Sequence, residues 1–303
     1  MWRLKILIQF VLSKIPFGEK INHFLQKINN SHSEEKIKKR FPELLKSILN
    51  INNIKSLEGA VVVEIGTGWM PISTIFFYLL GVKRCHTYDH LRHLRFDLLQ
   101  RLMKSMEDEI QEISSISSIP INILEKKISD LIKCKDLDEF LKVANISYHA
   151  PGDAASTGLE EKSVDLIYSY AVLEHVPEQV VYDLTKEAKK ILNLGGMSYH
   201  LIGLHDHYHS FDKSISKVNF LKYPEWLWSF LVKNNISFHN RLREKQFLEI
   251  FKKNGAKLVW SKNKIDEEDL EVLKHMKIDK CFQGMTSKEL AIYETEILLT
   301  FPN

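Results

Sequence analysis

The segment VVVEIGTGWMP, residues 61–71, contains the clearest structural signal in the chain. Ala60–Ile65 is an apolar, β-branched run broken only by one glutamate, which is typical of a strand buried on both faces of a parallel sheet. Gly66 and Gly68 follow the strand, and Ile72–Leu80 then has the composition of an apolar helix. Strand, glycine turn and helix in this order predict a site where the backbone approaches a ligand beside the positive end of a helix.

Alternating strand and helix patterns continue after this turn. Further strands are predicted at Arg84–Tyr88, Ile146–His149, Val164–Tyr168, Met197–Leu204, Lys257–Ser261 and Ala291–Thr300. A helix that begins near Pro177 is expected to reach a turn at Gly195–Gly196. The alternation predicts an α/β fold with a doubly wound, Rossmann-like sheet of seven strands, and the last two strands suit an antiparallel strand at the sheet edge.

The longer segments predict additions to this sheet. Residues 1–58 are expected to form a helical N-terminal extension, and residues 59–303 the main domain. Residues 90–145 are too long for one crossover, so we expect a helical insertion of two or three helices, including Leu137–Val143. The apolar spacing of Arg95–Ile113 predicts one long helix in this insertion. Residues 205–242 are aromatic and histidine-rich and are expected to form an irregular cap over the substrate.

Composition excludes several classes of protein. The 303 residues are 44% apolar and 27% charged, as in an ordinary globular protein. The net charge of +3, from 42 basic and 39 acidic residues, is too balanced to imply a nucleic-acid partner. The three cysteines, at positions 85, 134 and 281, have no disulfide or CxxC spacing, which predicts a reducing cytoplasm.

The first residues, MWRLKILIQFVLSKIPF, have two interpretations. Lys5 and Lys14 interrupt the apolar run, which argues against a secretory signal, and the run is too short to span a bilayer. The segment is either a helix docked on the core or an interfacial helix with Trp2 and its lysines at a membrane surface. A loop is expected around Asn29–Ser33.

Carboxylates stand at three strand ends or turns. Glu64 precedes the glycine turn, where it either faces a cationic amino acid group or is satisfied by local backbone amides. Asp89 ends the second strand, a position from which a carboxylate accepts both hydroxyls of a ribose. Asp153 follows the third strand, where it can accept the amino group of adenine. Pro71 replaces the third glycine of a dinucleotide fingerprint, which counts against NAD.

These segments resemble the class I S-adenosylmethionine-dependent methyltransferases over about residues 58–204, with an edge hairpin to about residue 301. The resemblance implies S-adenosylmethionine as the cofactor, and the Gly-Thr-Gly-Trp-x-Pro turn resembles a variant of bacterial members. The residues to which it assigns cofactor binding are Glu64, Gly66, Thr67, Gly68, Trp69, Asp89, His90, Asp153, Ala154, Ser169 and Tyr170.

Two later segments, SYAVLEHV and HDHYHSFD, supply candidate catalytic groups. The candidates are His207, His209, His175 and Asp206. Methyl transfer to oxygen requires the acceptor to lose a proton, and a histidine oriented by a carboxylate suits that task. His207 with Asp206 is the leading pair, and His209 with Asp212 is the alternative. The alternative is a structural role, in which His175 stabilises the start of a helix and two or more of the loop histidines stabilise the fold.

The cap region also offers candidates for metal binding and for binding an anionic acceptor. His205, Asp206, His207 and His209 offer metal donors on alternating positions, but no further ligand is evident, so the sequence favours no metal. The arginines of NRLR, residues 240–243, either grip an anionic acceptor or pair with a neighbouring carboxylate.

The favoured function is methyl transfer to an oxygen of a small molecule or saccharide. Nitrogen is a second acceptor atom. The cap sequence resembles bacterial methyltransferases linked with surface-saccharide pathways. An NAD-type oxidoreductase and a non-catalytic interaction protein on the same fold are the alternatives. We expect a cytoplasmic protein, with peripheral membrane contact as the alternative for the N-terminal helix and no nucleic-acid partner.

Overall fold

A computed structural model describes residues 1–16, 18, 21, 34–232, 234 and 236–302. The loop predicted around Asn29–Ser33 lies outside these residues. A search of the described residues finds no helix long and apolar enough to cross a membrane.

Helices and strands alternate through the described chain. The helices are α1 (Trp2–Leu12), α2 (Glu34–Lys38), α3 (Phe41–Asn52), α4 (Ile72–Leu79), α5 (Phe96–Asp108), α6 (Ile110–Ser117), α7 (Ile121–Ile132), α8 (Leu137–Val143), α9 (Glu178–Ile191), α10 (Glu225–Val232), α11 (Glu244–Lys253), α12 (Glu267–His275) and α13 (Ser287–Ala291). The strands are β1 (Val61–Ile65), β2 (Arg84–Tyr88), β3 (Ile146–His149), β4 (Val164–Tyr170), β5 (Leu192–Gly203), β6 (Lys257–Ile265) and β7 (Ile292–Thr300).

The described strands form one seven-stranded sheet in the order β3-β2-β1-β4-β5-β7-β6. β1 runs parallel to β2, with Glu64 opposite Thr87, and β2 runs parallel to β3. β6 and β7 pair antiparallel at the other edge. The predicted doubly wound sheet with an antiparallel edge is therefore confirmed. Because β1, β2 and β3 are parallel, their carboxyl ends and the segments that follow them meet at one edge of the sheet.

The fifth strand begins earlier than predicted. It starts at Leu192, so the expected turn at Gly195–Gly196 lies inside the strand. Gly195 adopts a φ of +76°, a left-handed conformation that glycine tolerates without a Cβ clash. The glycine pair is therefore a local irregularity of β5, and sequence alone misread it as the end of the preceding helix.

The chain forms two compact units. The first contains Met1–Asn29, Ser169–Lys189 and Ser198–Asn303, and the second contains Asn30–Tyr168 and Lys190–Met197. These two units differ from the N-terminal extension and main domain that the sequence predicted, because they are defined by contacts within the chain. The domain boundaries expected from the sequence stay a prediction.

The helical insertion of the second unit contains four helices, α5 to α8, where two or three were expected. The predicted long helix ends at Asp108 and a new one starts at Ile110, and Ser118 ends that helix in a left-handed conformation. Asp136 caps α8 by accepting a hydrogen bond from the Glu139 N–H at 2.8 Å. The apolar spacing continues across the break after α5, which is why sequence alone joined α5 and α6.

The cap segment of the first unit is more regular than predicted. It contains α10 and two short 3₁₀ helices, His207–Ser210 and Asn219–Lys222. Three of its aromatic residues belong to a buried core that also takes in α1 and α13, and the members of this core include Trp2, Ile6, Tyr208, Phe220, Leu221, Trp228, Val232 and Leu290. Burial of large aromatic side chains stabilises the segment without a strong helical pattern.

The N-terminal helix α1 packs on this core with one face. Trp2 and Ile6 are buried, and the Tyr208 hydroxyl donates to Gln9 Oε1 at 3.1 Å. Leu4 and Leu7 on the opposite face remain 61% and 54% exposed. One face of the helix is thus docked, as the first interpretation predicted, while the other face leaves an apolar surface open.

Candidate functional site

The turn after β1 is held against the end of β2. Gly66 and Gly68 have φ values of +85° and +62°, in the left-handed region that other residues enter only at a cost. The Gly66 N–H donates to the Tyr88 carbonyl oxygen at 2.8 Å. The two glycines therefore let the chain reverse tightly at the sheet edge, as the sequence predicted.

Asp89 anchors this turn. Its Oδ2 accepts a hydrogen bond from the Gly68 N–H at 2.8 Å, and its Oδ1 accepts one from the Leu91 N–H at 3.2 Å. Burial pushes the pKa of Asp89 upward, but the hydrogen bonds from His90, Gly68 and Leu91 outweigh it, so the pKa lies below its usual value. The side chain is an ionised acceptor fixed beside the glycine turn.

Glu64 is enclosed behind the turn. Its carboxylate accepts hydrogen bonds from the hydroxyls of Thr74 on α4 and Thr87 on β2, the latter at 2.8 Å. The structure thus replaces the expected backbone amides with two hydroxyl donors. Burial raises the pKa of Glu64 to about 7, although the two threonine hydrogen bonds lower it and Asp89 raises it. A cation beside this carboxylate would favour its ionised form.

The remaining turn residues have distinct environments. Thr67 is buried, with its hydroxyl 2.6 Å from the Thr87 hydroxyl. The Trp69 ring lies against the imidazole of His93, with ring centroids 4.7 Å apart. The His90 ring is exposed and places Nδ1 3.1 Å from Asp89 Oδ1. Sequence reasoning missed His93, although its position four residues after Asp89 is a signal for contact on one side of a turn.

The segment after β3 joins the same edge. The Gly152 N–H donates to the Asp89 carbonyl oxygen at 2.8 Å. A Cβ on Gly152 would lie 2.6 Å from the His149 carbonyl oxygen, so the close approach requires glycine. Asp153 is exposed and accepts a hydrogen bond from the Ala155 N–H at 2.8 Å, with Ala154 half-buried beside it. The structure therefore brings together the residues predicted after the first three strands.

The predicted residues of β4 lie in the first unit and differ from one another. The Ser169 hydroxyl is fully buried and lies 2.8 Å from His200 Nδ1, while Ser198 Oγ lies 2.8 Å from His200 Nε2. The Ser169 side chain is thus in contact with His200 inside the protein, and its assignment to cofactor binding stays a prediction. Tyr170 is half-buried, and Ala171 has a φ of +55°. That strained backbone turns the chain out of the strand.

Four imidazoles cluster in the first unit. The His207 ring stacks on the His239 ring, with centroids 4.0 Å apart and planes 11° apart. His175 and His205 lie 4.8 and 4.9 Å from the His207 ring. Sequence reasoning named three of these residues and missed His239, which is 32 positions beyond His207 and carries no local signal. We call His175, His205, His207 and His239 the histidine cluster.

Glu174 borders the histidine cluster and was also missed as a candidate. Only 2% of the residue is exposed, and its Oε1 accepts a hydrogen bond from the Gly203 N–H at 3.0 Å. Its Oε2 is buried with no hydrogen-bond partner among the described residues. Burial raises the pKa of Glu174 to about 8. An uncompensated buried carboxylate oxygen is rare in folded proteins and calls for an explanation.

Burial also sets the protonation of the histidine cluster. Burial, and then the neighbouring His175 and His205, hold the pKa of His207 well below its usual value. The same desolvation lowers the pKa of His205 to about 4. The imidazoles are therefore neutral at neutral pH, with lone pairs free to accept a proton or to bind an electrophile.

Asp206 and His209 are not where the sequence predicted. Asp206 is fully buried and caps a 3₁₀ helix by accepting from the Tyr208 N–H at 2.9 Å and from Asn219 Nδ2 at 3.0 Å. It therefore orients no histidine. His209 Nδ1 lies 2.6 Å from the Ile215 carbonyl oxygen, and the His209 ring makes no ring contact with the cluster among the described residues. The short helix needs a cap at its first turn, and that need fixes the Asp206 side chain.

The alternative pair also fails. Asp212 accepts hydrogen bonds from the backbone nitrogens of Met1 and Trp2 at 2.9 and 3.1 Å and does not pair with His209. The two arginines of NRLR are buried. Arg241 pairs with Glu225 at 2.5 Å, and Arg243 donates to the backbone carbonyl of Leu290 at 3.0 Å. The neighbouring-carboxylate interpretation is correct for Arg241, and Arg243 is structural.

Residues 116–199 match a family model described as a methyltransferase domain. The match contains Asp153, Glu174 and His175 but begins after the glycine turn. No curated protein sequence matches the chain. The matched segment and the sheet order together support a methyltransferase domain in this chain.

Solved structures with a similar fold are distant in sequence. The PH0226 protein from Pyrococcus horikoshii OT3 is 13% identical, with 90% of this chain and 93% of that chain covered and a TM-score of 0.48. Geranyl diphosphate C-methyltransferase from Streptomyces coelicolor A3(2) is 11% identical, with 90% and 85% covered and a TM-score of 0.47. That enzyme was solved with Mg²⁺, geranyl diphosphate and S-adenosyl-L-homocysteine. At these scores the likeness gives no argument about the substrate of this chain.

Proposed function

We propose that the chain is an S-adenosylmethionine-dependent methyltransferase that acts on an oxygen of a small molecule or saccharide. The observation that carries the cofactor assignment is the 2.8 Å hydrogen bond from the Gly68 N–H to the Asp89 carboxylate. It fixes an ionised acceptor beside a turn with no side chains at Gly66 and Gly68, so a ribose can approach closely. The methyltransferase-domain match to residues 116–199 supports the same class.

The rest of the cofactor is assigned residue by residue. The Glu64 carboxylate pairs with the ammonium group of the methionine part of the cofactor. A cation beside Glu64 would favour the ionised form of this buried carboxylate. Asp153 is exposed, and its carboxylate accepts a hydrogen bond from the amino group of adenine. The further residues proposed for cofactor binding are Thr67, Trp69, His90 and Ala154, and Ser169 and Tyr170 stay predictions.

The histidine cluster is assigned to the acceptor. In the transfer, the acceptor oxygen forms a bond to the methyl carbon as the carbon–sulfur bond breaks, and the electron pair of that bond stays on sulfur. The acceptor hydroxyl must lose a proton, and a neutral imidazole can take it. His207 and His175 are the residues proposed for this role, because they lie in the histidine cluster. Asp206 orients neither of them, because its carboxylate caps a 3₁₀ helix, and His209 stays a prediction.

Calorimetric titration tests the cofactor assignment first. The protein is expected to bind S-adenosylmethionine and S-adenosylhomocysteine and not NAD. Binding of NAD alone would establish the oxidoreductase alternative. Transfer of a ¹³C-labelled methyl group to a panel of saccharides, phenols and amines then tests the acceptor, because the methyl chemical shift distinguishes an O-methyl from an N-methyl product. Tight cofactor binding with no product from any acceptor would favour the interaction protein.

We also propose that the open face of α1 contacts an anionic membrane surface. Leu7 and Val11 of α1 and Phe230 of α10 expose 54%, 50% and 63% of their area. An apolar groove of about 300 Å³ lies between the two helices. Lys14 adds positive charge beside this surface, with Nζ 5.5 Å from the ring centroid of Phe10, which packs against Phe230. Positive charge beside exposed apolar side chains is typical of interfacial helices. Cytoplasmic localisation stays a prediction beside this proposal.

A further inference from the structure

The three donors of a metal site meet beside β4 and β5. Glu174 and His175 belong to the 3₁₀ helix Leu173–His175, and His207 opens a second 3₁₀ helix. One ligand atom from each of these residues lies within 4.8 Å of the other two. These side chains come from segments more than 30 positions apart, so no sequence motif links all three.

The carboxylate has one oriented and one free oxygen. Glu174 Oε1 is held by the Gly203 N–H at 3.0 Å, and a Cβ on Gly203 would lie 2.8 Å from that oxygen. Glycine at this position therefore lets the carboxylate reach the backbone. Oε2 is buried and unpartnered among the described residues. A bound cation would supply the missing partner and offset the cost of burying the charge.

One of the two imidazoles, His175, is oriented in the way that metal-binding histidines are, and the other, His207, is held by a ring stack. His175 Nδ1 lies 3.1 Å from the Phe238 carbonyl oxygen. A hydrogen bond there places the proton on Nδ1 and leaves the Nε2 lone pair free for a ligand. The His207 ring is held by its stack on His239, whose backbone carbonyl accepts from Trp228 Nε1 at 3.1 Å.

We propose that Glu174, His175 and His207 bind a divalent first-row transition metal. Two imidazole nitrogens and one carboxylate oxygen are a borderline donor set that suits Zn²⁺ or Fe²⁺ better than Mg²⁺ or Ca²⁺. Bonds of about 2.0–2.2 Å in tetrahedral geometry place such donors within the 4.8 Å that bounds the separations of these three atoms. His239 packs against the His207 ring and is a positioning residue.

The metal gives the acceptor site a chemical role, and this part rests on the proposed function. Three protein ligands leave coordination positions open. An acceptor hydroxyl bound there loses its proton to solvent more readily, because the cation stabilises the oxyanion. With the ion bound, His175 and His207 assist this loss as ligands of the ion and do not take the proton themselves. The oxygen then forms the bond to the methyl carbon as the carbon–sulfur bond breaks. A compound with two neighbouring oxygens fits best, because both oxygens can bind the same ion.

Metal content and zinc affinity test the site without any activity measurement. Protein stripped with a chelator is titrated with Zn²⁺ alone, and Co²⁺ is added separately for its visible spectrum. The wild type is expected to bind one equivalent. Glu174→Gln and His175→Ala are expected to lose at least about tenfold in zinc affinity, since even changes around metal ligands typically have effects of this size. His275→Ala, which removes an exposed histidine, is the control and is expected to bind as the wild type does.

Each result bears on one proposal. Equal zinc affinity in the wild type and Glu174→Gln, with both proteins folded by circular dichroism, would overturn the metal site. Loss in His275→Ala alone would assign the ion to the surface and would also overturn it. Glu174→Gln keeps an oxygen for the Gly203 N–H and is the variant most certain to fold. S-adenosylhomocysteine binding is measured on the same samples. Zinc binding without it would contradict the methyltransferase and leave the metal site standing, and the reverse result would do the opposite.

Discussion

The glycine turn of the second unit and the histidine cluster of the first differ in how their polar groups are satisfied. At the turn, the Asp89 carboxylate accepts from backbone N–H groups within the same edge of the sheet, at 2.8 and 3.2 Å. In the cluster, Glu174 Oε2 and His239 Nδ1 are buried with no hydrogen-bond partner in the described part of the chain. Both oxygens of Asp89 accept hydrogen bonds without a ligand, whereas the histidine cluster and Glu174 contain polar atoms without hydrogen-bond partners among the described residues.

This difference separates two kinds of pre-organisation. A turn held by its own backbone keeps its shape when empty, so a ligand adds contacts without ordering the protein. A buried group without a partner destabilises the empty protein and favours binding of whatever satisfies it. The comparison predicts that changes at the turn act on cofactor affinity and that changes in the cluster act on turnover.

The largest effect is expected in the cluster. His207→Ala should lower turnover by about 10²–10⁴-fold, the usual contribution of a group that assists loss of a proton. The dissociation constant of S-adenosylhomocysteine should stay nearly unchanged, because no turn residue is altered. Steady-state kinetics and calorimetry on one preparation measure both quantities. Full turnover in a folded His207→Ala protein would remove the cluster from the reaction.

The next effect belongs to the turn. Asp89→Ala removes an ionised acceptor worth roughly 1.5–3 kcal/mol, so the dissociation constant of S-adenosylhomocysteine should rise at least about tenfold. Asp130→Ala, which removes a carboxylate that pairs with Lys126 on the exposed face of α7, is the matched control and should bind normally. An unchanged constant in folded Asp89→Ala would contradict the ribose assignment.

A third prediction separates the docked and open faces of α1. Leu7→Glu combined with Val11→Glu should reduce recovery on anionic vesicles by about fivefold or more, since about 1 kcal/mol already changes a partition by that factor. Ile54→Glu combined with Ile123→Glu alters exposed apolar residues elsewhere and serves as the control. Flotation in which all three proteins behave alike would leave α1 as a docked helix only.

The smallest effect is a pH dependence of stability at Glu64. Its pKa in the folded protein is about 7, above the usual 4.5, so folding favours the protonated carboxyl. The stability from this group is present below about pH 4.5 and is lost as the pH rises through about 7. Without cofactor, Glu64→Gln should show a smaller fall in Tm than the wild type between about pH 5 and pH 8, by a few degrees.

Thermal unfolding of both proteins at several pH values measures this difference. Glu160→Gln, an exposed site in the same unit, is the control and should follow the wild type. A steeper fall in Glu64→Gln than in the wild type would contradict the sign of the effect.

The sequence by itself determined the sheet, the glycine turn after β1 and the carboxylate at the end of β2. A buried β-branched strand, two glycines and an apolar helix are consecutive in residues 61–79, and local patterns of this kind fix local structure. Asp89 was predictable because parallel strands end at one edge, so a residue's place at the end of its strand already gives its neighbourhood. The bounds of β2, β3 and α8 agreed with the prediction, because local sequence patterns fix the bounds of such elements.

Only the tertiary structure decided the histidine cluster. Glu174, His207 and His239 come from three segments, and their contacts depend on how those segments pack, which no local pattern records. The structure also gives Asp206 another role than the sequence predicted. Its carboxylate caps a short helix and is therefore not available to orient a histidine. Burial leaves Glu174 Oε2 without a hydrogen-bond partner among the described residues, and this lack of a partner arises only when the chain folds.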